Sequence, residues 1–442
     1  MRRHATRVRS EVRRLSRTGA IAWDEELLVG PVRGAPTWSP PRTPAEVPEV
    51  SPYELVGRAV KAASPWRSLS PLTRACVASE VLHRLVAIRA STAPLLGTWS
   101  GLDPQAAARF EGVEARHRAA LAIYLALRAQ HLRTRRRRLG ARPLALDGAG
   151  LTQTTELMPR GVSLIFLSEE SPCWAPYPAA FANLVTGNTL LVSPSPLGAA
   201  SAVVLVETWR AVLTDHGLPA DTVQIALAPE DDLYFMRELV SHHLIALIDD
   251  AVPGAGSAPT LQTNAPHAVV VQEPKGRHVM LLDERQDHAN LLAGLAATAK
   301  AGAALRVKPL LVVVPSDGIE TDAGPRGADQ VVDDVRRAVA GADHDRPERA
   351  WAFTVAHAGA PQLERLDELR RGPGVRALHL VTSDAGLSRR VAAWAHDAGV
   401  FLLVEDSHGG PIGDVRAQEA AATLDDDFVA PRLRTHRARF RT

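Results

Sequence analysis

Residues 161–194, "GVSLIFLSEESPCWAPYPAAFANLVTGNTLLVSP", decide the fold. The apolar run "GVSLIFLS" and the later "TLLVSP" are both typical of strands buried on two faces. Between them, "YPAAFANLVTGN" predicts a helix that ends near Gly187. Two buried strands joined by a helix form a parallel pair, so the segment predicts an α/β doubly wound sheet.

The same alternation continues along the chain. The stretch "SAVVLVETWRAVLTDHGLP" predicts a helix with Gly217 just beyond its end, and "VQIALAP", "DLYFMRELVSHH" and "LIALIDD" follow as strand, helix and strand. Upstream, residues 53–130 have apolar residues at three- and four-residue spacing, which predicts helices. A second alternating set begins with "HAVVVQE" at 267–273 and ends with "VFLLVED" at 400–406.

We therefore predict four parts. Residues 1–50 are an amphipathic helix and a Pro-rich linker, 51–259 a doubly wound domain, 260–400 a smaller α/β domain, and 401–442 a C-terminal segment. The tail "FVAPRLRTHRARFRT" alternates like a strand but has no partner strand nearby in the sequence. We expect it to be an arm that pairs with another chain, giving a homo- or hetero-oligomer.

Composition excludes several classes of function. The 442 residues have an ordinary apolar fraction of 46%, a net charge of +2 and no apolar run that could span a bilayer. The basic stretch at 133–138 is more typical of a solvated face than of a phosphate site. Only two cysteines are present, so we expect a cytoplasmic protein with no disulfide framework and no metal site. From the apolar runs and the charge we expect no membrane and no nucleic-acid partner.

One loop is a weak candidate for a dinucleotide site. The sequence "PGAGSAP" at 253–259 follows a buried strand and contains GxG, but Pro259 stands where the third glycine belongs. An ordinary turn is the better interpretation.

Four stretches together resemble one family. They are "SLSPLTRACVASEVLHRL" at 68–85, the block at 158–196, "GIETDAG" at 318–324 and "FVAPRLR" at 428–434. The chain resembles the aldehyde dehydrogenase superfamily, and within it the PaaN-type proteins of phenylacetic acid degradation, in a shortened form. The resemblance implies an aldehyde-dehydrogenase-like fold: a Rossmann-like cofactor domain, a smaller α/β domain and a C-terminal oligomerisation arm.

The family's chemistry needs a thiolate, a base, an oxyanion donor and an NAD(P) site. Aligned to the family, the nucleophile position falls on Ala304, and no cysteine lies within a hundred residues of it. The base position falls on Gln262, whose amide takes no proton at neutral pH. The resemblance therefore implies that aldehyde oxidation through a thiohemiacetal has been lost.

The cofactor motifs depart from the family in the same way. Its nucleotide-binding lysine falls on Ser193, and its Gly-Ser turn on Val252 and Pro253. Its oxyanion asparagine falls on Glu170, whose carboxylate would repel a developing oxyanion. We expect no cofactor.

The same region offers other chemistry. Glu169 and Glu170 follow a buried strand, at the edge where open α/β sheets bind ligands, and paired acids there can raise one pKa to suit a general base. The alternative is that both face solvent. Cys173, in the same loop, is more often a small core residue than a nucleophile, and Trp174 and Tyr177 are expected to pack.

Four more residues are candidates for substrate binding. His267 and His408 could line the same cleft, and Lys300 and Arg306, which flank Ala304, could bind an anionic group. Each has a simpler interpretation: lone histidines are usually structural, and charges at a helix end usually face solvent.

Two classes of function remain open. The first is an enzyme of bacterial secondary metabolism that performs a non-redox acid–base step, an elimination or an intramolecular ring closure, on a small metabolite. Glu170 and Glu169 would act on the proton, with Lys300, Arg306, His267, His408, Cys173 and Gln262 lining the site. The second is a non-catalytic subunit that supports an active partner. A residual aldehyde dehydrogenase of aromatic-acid catabolism is a third, weaker alternative.

Overall fold

The structure is a computed structural model and divides into two compact units, residues 1–272 with 424–442 and residues 273–423. It describes these residues: 49–87, 111–113, 115–133, 151–167, 173–174, 176–195, 198–228, 233–250, 257–272, 277–283, 285–286, 288–289, 291–293, 309–340, 354–358, 366–367, 371, 375–382, 384–398, 400–405 and 426–441. The predicted N-terminal helix lies outside them.

The first unit begins with the predicted helices. They are α1 (Pro52–Ser68), α2 (Pro71–Ala87) and α3 (Ala115–Arg133). Helix α1 begins at Ser51, whose hydroxyl accepts the Glu54 N–H, and Pro52 suits the first helical position because its missing N–H needs no partner. Trp66, near its other end, is fully buried and donates to the Leu184 carbonyl over 3.0 Å, which fixes α1 on the fold.

A five-stranded parallel sheet forms the centre of this unit, in the order β4-β3-β2-β5-β6. The strands are β2 (Val162–Leu167), β3 (Thr189–Pro194), β4 (Val223–Ile225), β5 (Ile245–Asp250) and β6 (Val269–Gln272). The helices between them are α4 (Pro176–Val185), α5 (Ala199–Asp215), α6 (Leu233–Ser241) and α7 (Ser257–Asn264).

The predicted doubly wound sheet is confirmed, because β2 and β3 pair in parallel from Val162–Thr189 to Leu167–Pro194. One strand lies elsewhere than the sequence suggested. The stretch "HAVVVQE", which we placed at the start of the second set, contains β6, and β6 pairs with β5 at the edge of the first sheet. Helix α7 is a short crossover between β5 and β6, so the first sheet gains its fifth strand before the chain enters the second unit.

Two predicted glycine positions end helices. Gly187, after α4, has φ of 95°, and a Cβ there would lie 3.3 Å from the Arg74 guanidinium. Gly217, after α5, has φ of 65°, and the next residue, Leu218, donates its N–H to the Leu213 carbonyl. This is the bond of a Schellman ending, which requires a residue that tolerates the left-handed region.

Arg74, in α2, joins three parts of the unit. It is 4% exposed and donates to the carbonyls of Leu69 and Val185 and to the side chain of Gln130 in α3. Burial lowers the pKa of Arg74 to about 10. The guanidinium satisfies the carbonyl of Leu69, just after α1, and that of Val185, the last residue of α4, where no further helical N–H is available.

The C-terminal segment belongs to the first unit. Helix α10 (Asp426–Val429) leads to β15 (Leu433–Arg441), which pairs antiparallel with β1 (Leu151–Pro159) of the same chain. We expected the tail to pair with another chain, whereas its partner strand lies in the same chain, far away in sequence but adjacent in the fold.

A buried ion pair holds this segment on the sheet. Arg432, just before β15, is fully buried and donates to the Asp249 carboxylate of β5, which also accepts the side-chain amide of Asn183 in α4. The Arg432 carbonyl accepts from Asn188, whose other amide atom bonds the Gly161 N–H before β2. The chain end is thereby bonded directly to β5 and, through Asn188, to the start of β2.

The second unit contains a parallel sheet of order β12-β9-β7-β13-β14 and a small sheet of order β11-β10-β8. Its strands are β7 (Arg277–Leu282), β8 (Arg285–Gln286), β9 (Pro309–Pro315), β10 (Ile319–Thr321), β11 (Gly324–Arg326), β12 (Thr354–Ala358), β13 (Val375–Val381) and β14 (Phe401–Glu405). Its helices include α8 (Ala328–Ala340) and α9 (Ala385–Ala398). The second α/β set is thus also a parallel sheet, as predicted.

We expect Arg432→Met to lower the free energy of unfolding by about 3–5 kcal/mol, because it leaves Asp249 buried without its cation. Urea denaturation measures the change. Arg434→Met, two residues on and exposed, is the matched control and should alter stability by less than about 0.5 kcal/mol. Equal effects of the two substitutions would show that the ion pair does not hold the segment.

Candidate functional site

The carboxyl edge of the first sheet is the place where a ligand site is expected. From β2 the chain moves to β3 and β4 on one side, whereas β5 and β6 lie on the other, so the strand order reverses between β2 and β5. Ligands of open α/β sheets bind outside the carboxyl ends of the strands at such a reversal. The connection from β2 to α4 leaves from this edge, and residues 173–174 are its described part.

Glu111 hydrogen-bonds the described part of that connection. Its side chain is 2% exposed, and one oxygen, Oε2, accepts the N–H groups of Cys173 over 2.7 Å and of Trp174 over 2.8 Å. Nothing in the sequence signalled this role, since Glu111 lies 62 residues before Cys173 and in no motif.

Arg118 and Tyr177 fix the same residues from two other sides. The Arg118 guanidinium, from α3, lies 3.6 Å from the centre of the Trp174 ring and donates to the Trp174 carbonyl. The Tyr177 N–H, in the first turn of α4, donates to the Cys173 carbonyl over 3.0 Å. Trp174 and Tyr177 are 2% and 5% exposed, which agrees with the packing role predicted for both.

Cys173 is a core thiol in this setting. It is 3% exposed, and burial, followed by the neighbouring Glu111 carboxylate, raises the pKa of its thiol well above the ordinary value. Burial raises the pKa of Tyr177 too, and the thiol adds to that rise. A thiol in such surroundings stays protonated at neutral pH and is a poor nucleophile.

The end of β3 carries a neutral side-chain contact. Ser193, at the position that the resemblance assigns to a lysine, is 4% exposed, and its hydroxyl donates to the Met236 thioether of α6 over 3.4 Å. Unlike the lysine of the family, neither the serine hydroxyl nor the methionine thioether supplies a positive charge to a ribose or phosphate. Asp250, at the end of β5 and 5% exposed, places a carboxylate at this edge.

Two candidate residues lie away from this edge. Helix α7 runs from the carboxyl end of β5 back to the start of β6, and Gln262 is an exposed residue in its second half. His267 lies in the turn before β6, where its Nε2 is 3.0 Å from the His242 carbonyl. Because strand starts and strand ends lie at opposite edges of a parallel sheet, the structure does not bring His267 to Cys173.

The other candidates lie outside the described residues. They are Glu169, Glu170, Lys300, Arg306 and His408, together with the aligned positions Ala304, Val252 and Pro253.

The described residues show neither a metal-binding cluster nor a membrane span. They contain no group of three histidine, cysteine or acidic side chains that could hold a metal ion. They also contain no helix that is both long and apolar enough to cross a bilayer.

Comparisons with known proteins give one family match. Residues 43–250 match the aldehyde dehydrogenase family, a range that lies within the first unit. No curated protein matches the sequence.

Solved structures share the fold over most of the chain. An NAD-dependent aldehyde dehydrogenase from Burkholderia multivorans is similar over 99% of both chains, with a TM-score of 0.76 at 20% identity. Methylmalonate-semialdehyde dehydrogenase from Oceanimonas doudoroffii is similar over 89% of this chain and 91% of its own, with a TM-score of 0.64 at 15% identity. For 1-pyrroline-5-carboxylate dehydrogenase from Thermus thermophilus the shares are 88% and 86%, with a TM-score of 0.64 at 14% identity. The predicted aldehyde-dehydrogenase-like α/β fold is confirmed.

The histidines just before β5 and β6 predict how the stability of the protein changes with pH. His242 is buried, its Nδ1 accepts the Leu244 N–H, its ring stacks on that of His243, and the edge of Tyr53 packs against it. Burial, then His243 and His267, lower the pKa of His242 below 6.5. The folded state thus favours the neutral ring, so its contribution to stability is complete above pH 6.5 and is lost as the pH falls through 6.5 toward the lowered pKa.

We expect stability to fall less steeply between pH 7.5 and 5.5 in His242→Asn than in the parent, because asparagine can still accept the Leu244 N–H but does not titrate. Melting temperatures across this range measure the slope. His396→Asn, at a histidine 89% exposed in α9, is the control and should keep the parent slope. If His242→Asn loses stability with falling pH as steeply as the parent, His242 is not the group responsible for this loss.

Proposed function

We propose, from an aldehyde-dehydrogenase-like fold whose residues 43–250 match the aldehyde dehydrogenase family, that this protein no longer oxidises aldehydes with NAD(P). It instead performs a non-redox acid–base reaction on a small metabolite. The retained sheet supplies a ligand edge, and the reaction uses carboxylates in place of a thiolate and a nicotinamide.

The state of the two cysteines carries this proposal. Oxidation through a thiohemiacetal needs an accessible thiolate. Cys76 and Cys173 are the only cysteines in the sequence, and they are 4% and 3% exposed. Burial and Glu111 raise the pKa of Cys173 further, so neither thiol is suited to attack an aldehyde.

The cofactor side supports the same conclusion. The contact of Ser193 with Met236 fills the end of β3 with neutral groups, and the Asp250 carboxylate lies at the same edge. Gln262 is exposed and cannot act as the base that the resemblance assigns to its position. The proposal therefore includes no nicotinamide cofactor.

The acid–base step is assigned to the loop after β2. Glu170 removes a proton from a C–H or N–H of the metabolite, with Glu169 raising its pKa toward neutrality. The electron pair released forms a double bond, or a new ring bond within the same molecule, and the leaving group departs with its own pair. No electron acceptor is needed. Lys300, Arg306 and His408 would bind an anionic group of the substrate, whereas His267 lies at the other edge of the sheet and takes no part.

The biological setting is also a proposal. The resemblance to PaaN-type proteins in shortened form, without their catalytic residues, suits a scaffold recruited into bacterial secondary metabolism in the cytoplasm.

A second candidate is a non-catalytic subunit in a hetero-complex. The observation that favours it is the two-stranded sheet of β1 and β15, which pairs with no third strand in the described part of the chain and so offers edges to a partner. A homo-oligomer could use the same edges. The mass in solution of the purified protein, alone and after co-expression with the products of adjacent genes, distinguishes these assemblies.

Retained aldehyde oxidation is the third alternative. The three solved structures named above are of dehydrogenases, which favours it. The two buried thiols and the neutral end of β3 count against it.

We expect Glu170→Gln to reduce turnover about a hundredfold or more, because the substitution keeps the shape of the side chain and removes the base. The assay incubates the protein with metabolites that carry an acidic proton and a leaving group, without NAD(P), and detects a product lighter by the leaving group and one proton. Glu238→Gln, at an exposed glutamate of α6, is the control and should keep parent activity. Full activity in a folded Glu170→Gln would place the base elsewhere, and NADH formation from aldehydes would overturn the proposed function.

A further inference from the structure

The first unit holds the C-terminal segment, residues 424–442, in the way that a protein holds a bound peptide. Strand β15 of the segment pairs antiparallel with β1 in one unbroken register, from Pro159–Leu433 to Leu151–Arg441. Such pairing binds the backbone of an extended segment whatever its side chains are, which is how peptides add to the edge of a sheet. Within the described part of the chain, β1 is the only strand that pairs with β15, so β1 supplies the backbone half of the binding.

A buried pocket binds one side chain of the segment. Arg432 is fully buried, and its guanidinium donates to the Asp249 carboxylate of β5 and to the carbonyl of Phe428 in the same segment. The centre of the Phe428 ring lies 4.0 Å from the guanidinium carbon. A buried carboxylate needs a cation, and a planar guanidinium can donate to two acceptors while its face lies on an aromatic ring. The pocket therefore selects arginine.

Contacts on both sides of this arginine fix the rest of the segment. Val429 and Leu433 are buried, with 0% and 5% of their surfaces exposed. The carbonyl of Pro431 accepts from the Arg160 guanidinium, and the next carbonyl accepts from the Asn188 side chain. Both of these donors belong to the first unit, whereas the residues that precede the segment in the chain belong to the second. The contacts that hold the segment thus do not require its covalent link.

We propose that the first unit contains a peptide-binding site, and that the C-terminal segment of the same chain is its ligand. Strand β1 binds the backbone of the ligand, and Asp249 selects an arginine that directly precedes the bound strand. The covalent link through the second unit raises the local concentration of the segment, and so increases its occupancy of the site without adding a contact. The site does not depend on the proposed acid–base function.

Cutting the chain tests whether the segment is held without its covalent link. A recognition sequence for a specific protease, flanked by Gly-Ser spacers, is inserted between Thr423 and Leu424, at the boundary of the two units. We expect the cut segment to stay with the rest of the chain through gel filtration, and a labelled synthetic peptide of residues 424–442 to exchange into the site. Immediate loss of the segment, or unfolding of the chain on cutting, would overturn the proposal.

Competition by unlabelled peptides tests the arginine pocket. A peptide with Arg432→Met should compete about thirtyfold or more weakly than the parent peptide, because it leaves the Asp249 carboxylate buried without its cation. A peptide with Arg434→Met, at an exposed position two residues on, is the matched control and should compete within about threefold of the parent peptide. The protein is identical in every measurement, so its fold cannot differ between them. Equal competition by the two variant peptides would contradict the selection of arginine and overturn the proposal, whereas a failed search for acid–base turnover leaves these results standing.

Discussion

The buried pair of Asp249 and Arg432 is the constraint on which the first unit depends. An ion pair without solvent needs further hydrogen bonds to offset the cost of desolvation, and here Asn183 donates to the Asp249 carboxylate and Arg432 donates to the Phe428 carbonyl. The pair ties the last turns of the chain to β5, the strand beside β2 at the sheet reversal. The ligand edge and the C-terminal segment are thus built around one carboxylate, and neither can move far without leaving a charge buried and unpaired.

That architecture does not depend on the positions to which the family resemblance assigns aldehyde chemistry. The residues that hold it together are Arg74, Asn183, Asn188, Asp249 and Arg432, and they bond backbone ends and one another. None of them is a thiol, a base or a cofactor ligand. Ser193 is not part of this network, so a change at that position would leave these bonds in place.

The sequence predicted the parts of the fold that depend on periodicity and on backbone chemistry. Buried runs predicted β2 and β3, and Gly187 and Gly217 marked helix ends because only such residues accept positive φ readily. It did not predict the partner of β15, because pairing with β1 joins residues nearly three hundred positions apart. Nor did it find Glu111 or separate His267 from Cys173, since a lone acid or histidine has no signature until the sheet fixes which edge it occupies.

The central claim is that the fold remains while the nicotinamide site is gone. Calorimetric titration of the full chain with NAD and with NADP tests it most directly, because binding is measured whatever the protein's substrate is. The neutral contact of Ser193 with Met236 and the nearby Asp250 predict no saturable heat for either nucleotide at concentrations up to about 1 mM, a bound equivalent to a binding free energy weaker than about −4 kcal/mol. A saturable isotherm with a micromolar Kd for either nucleotide would contradict the account.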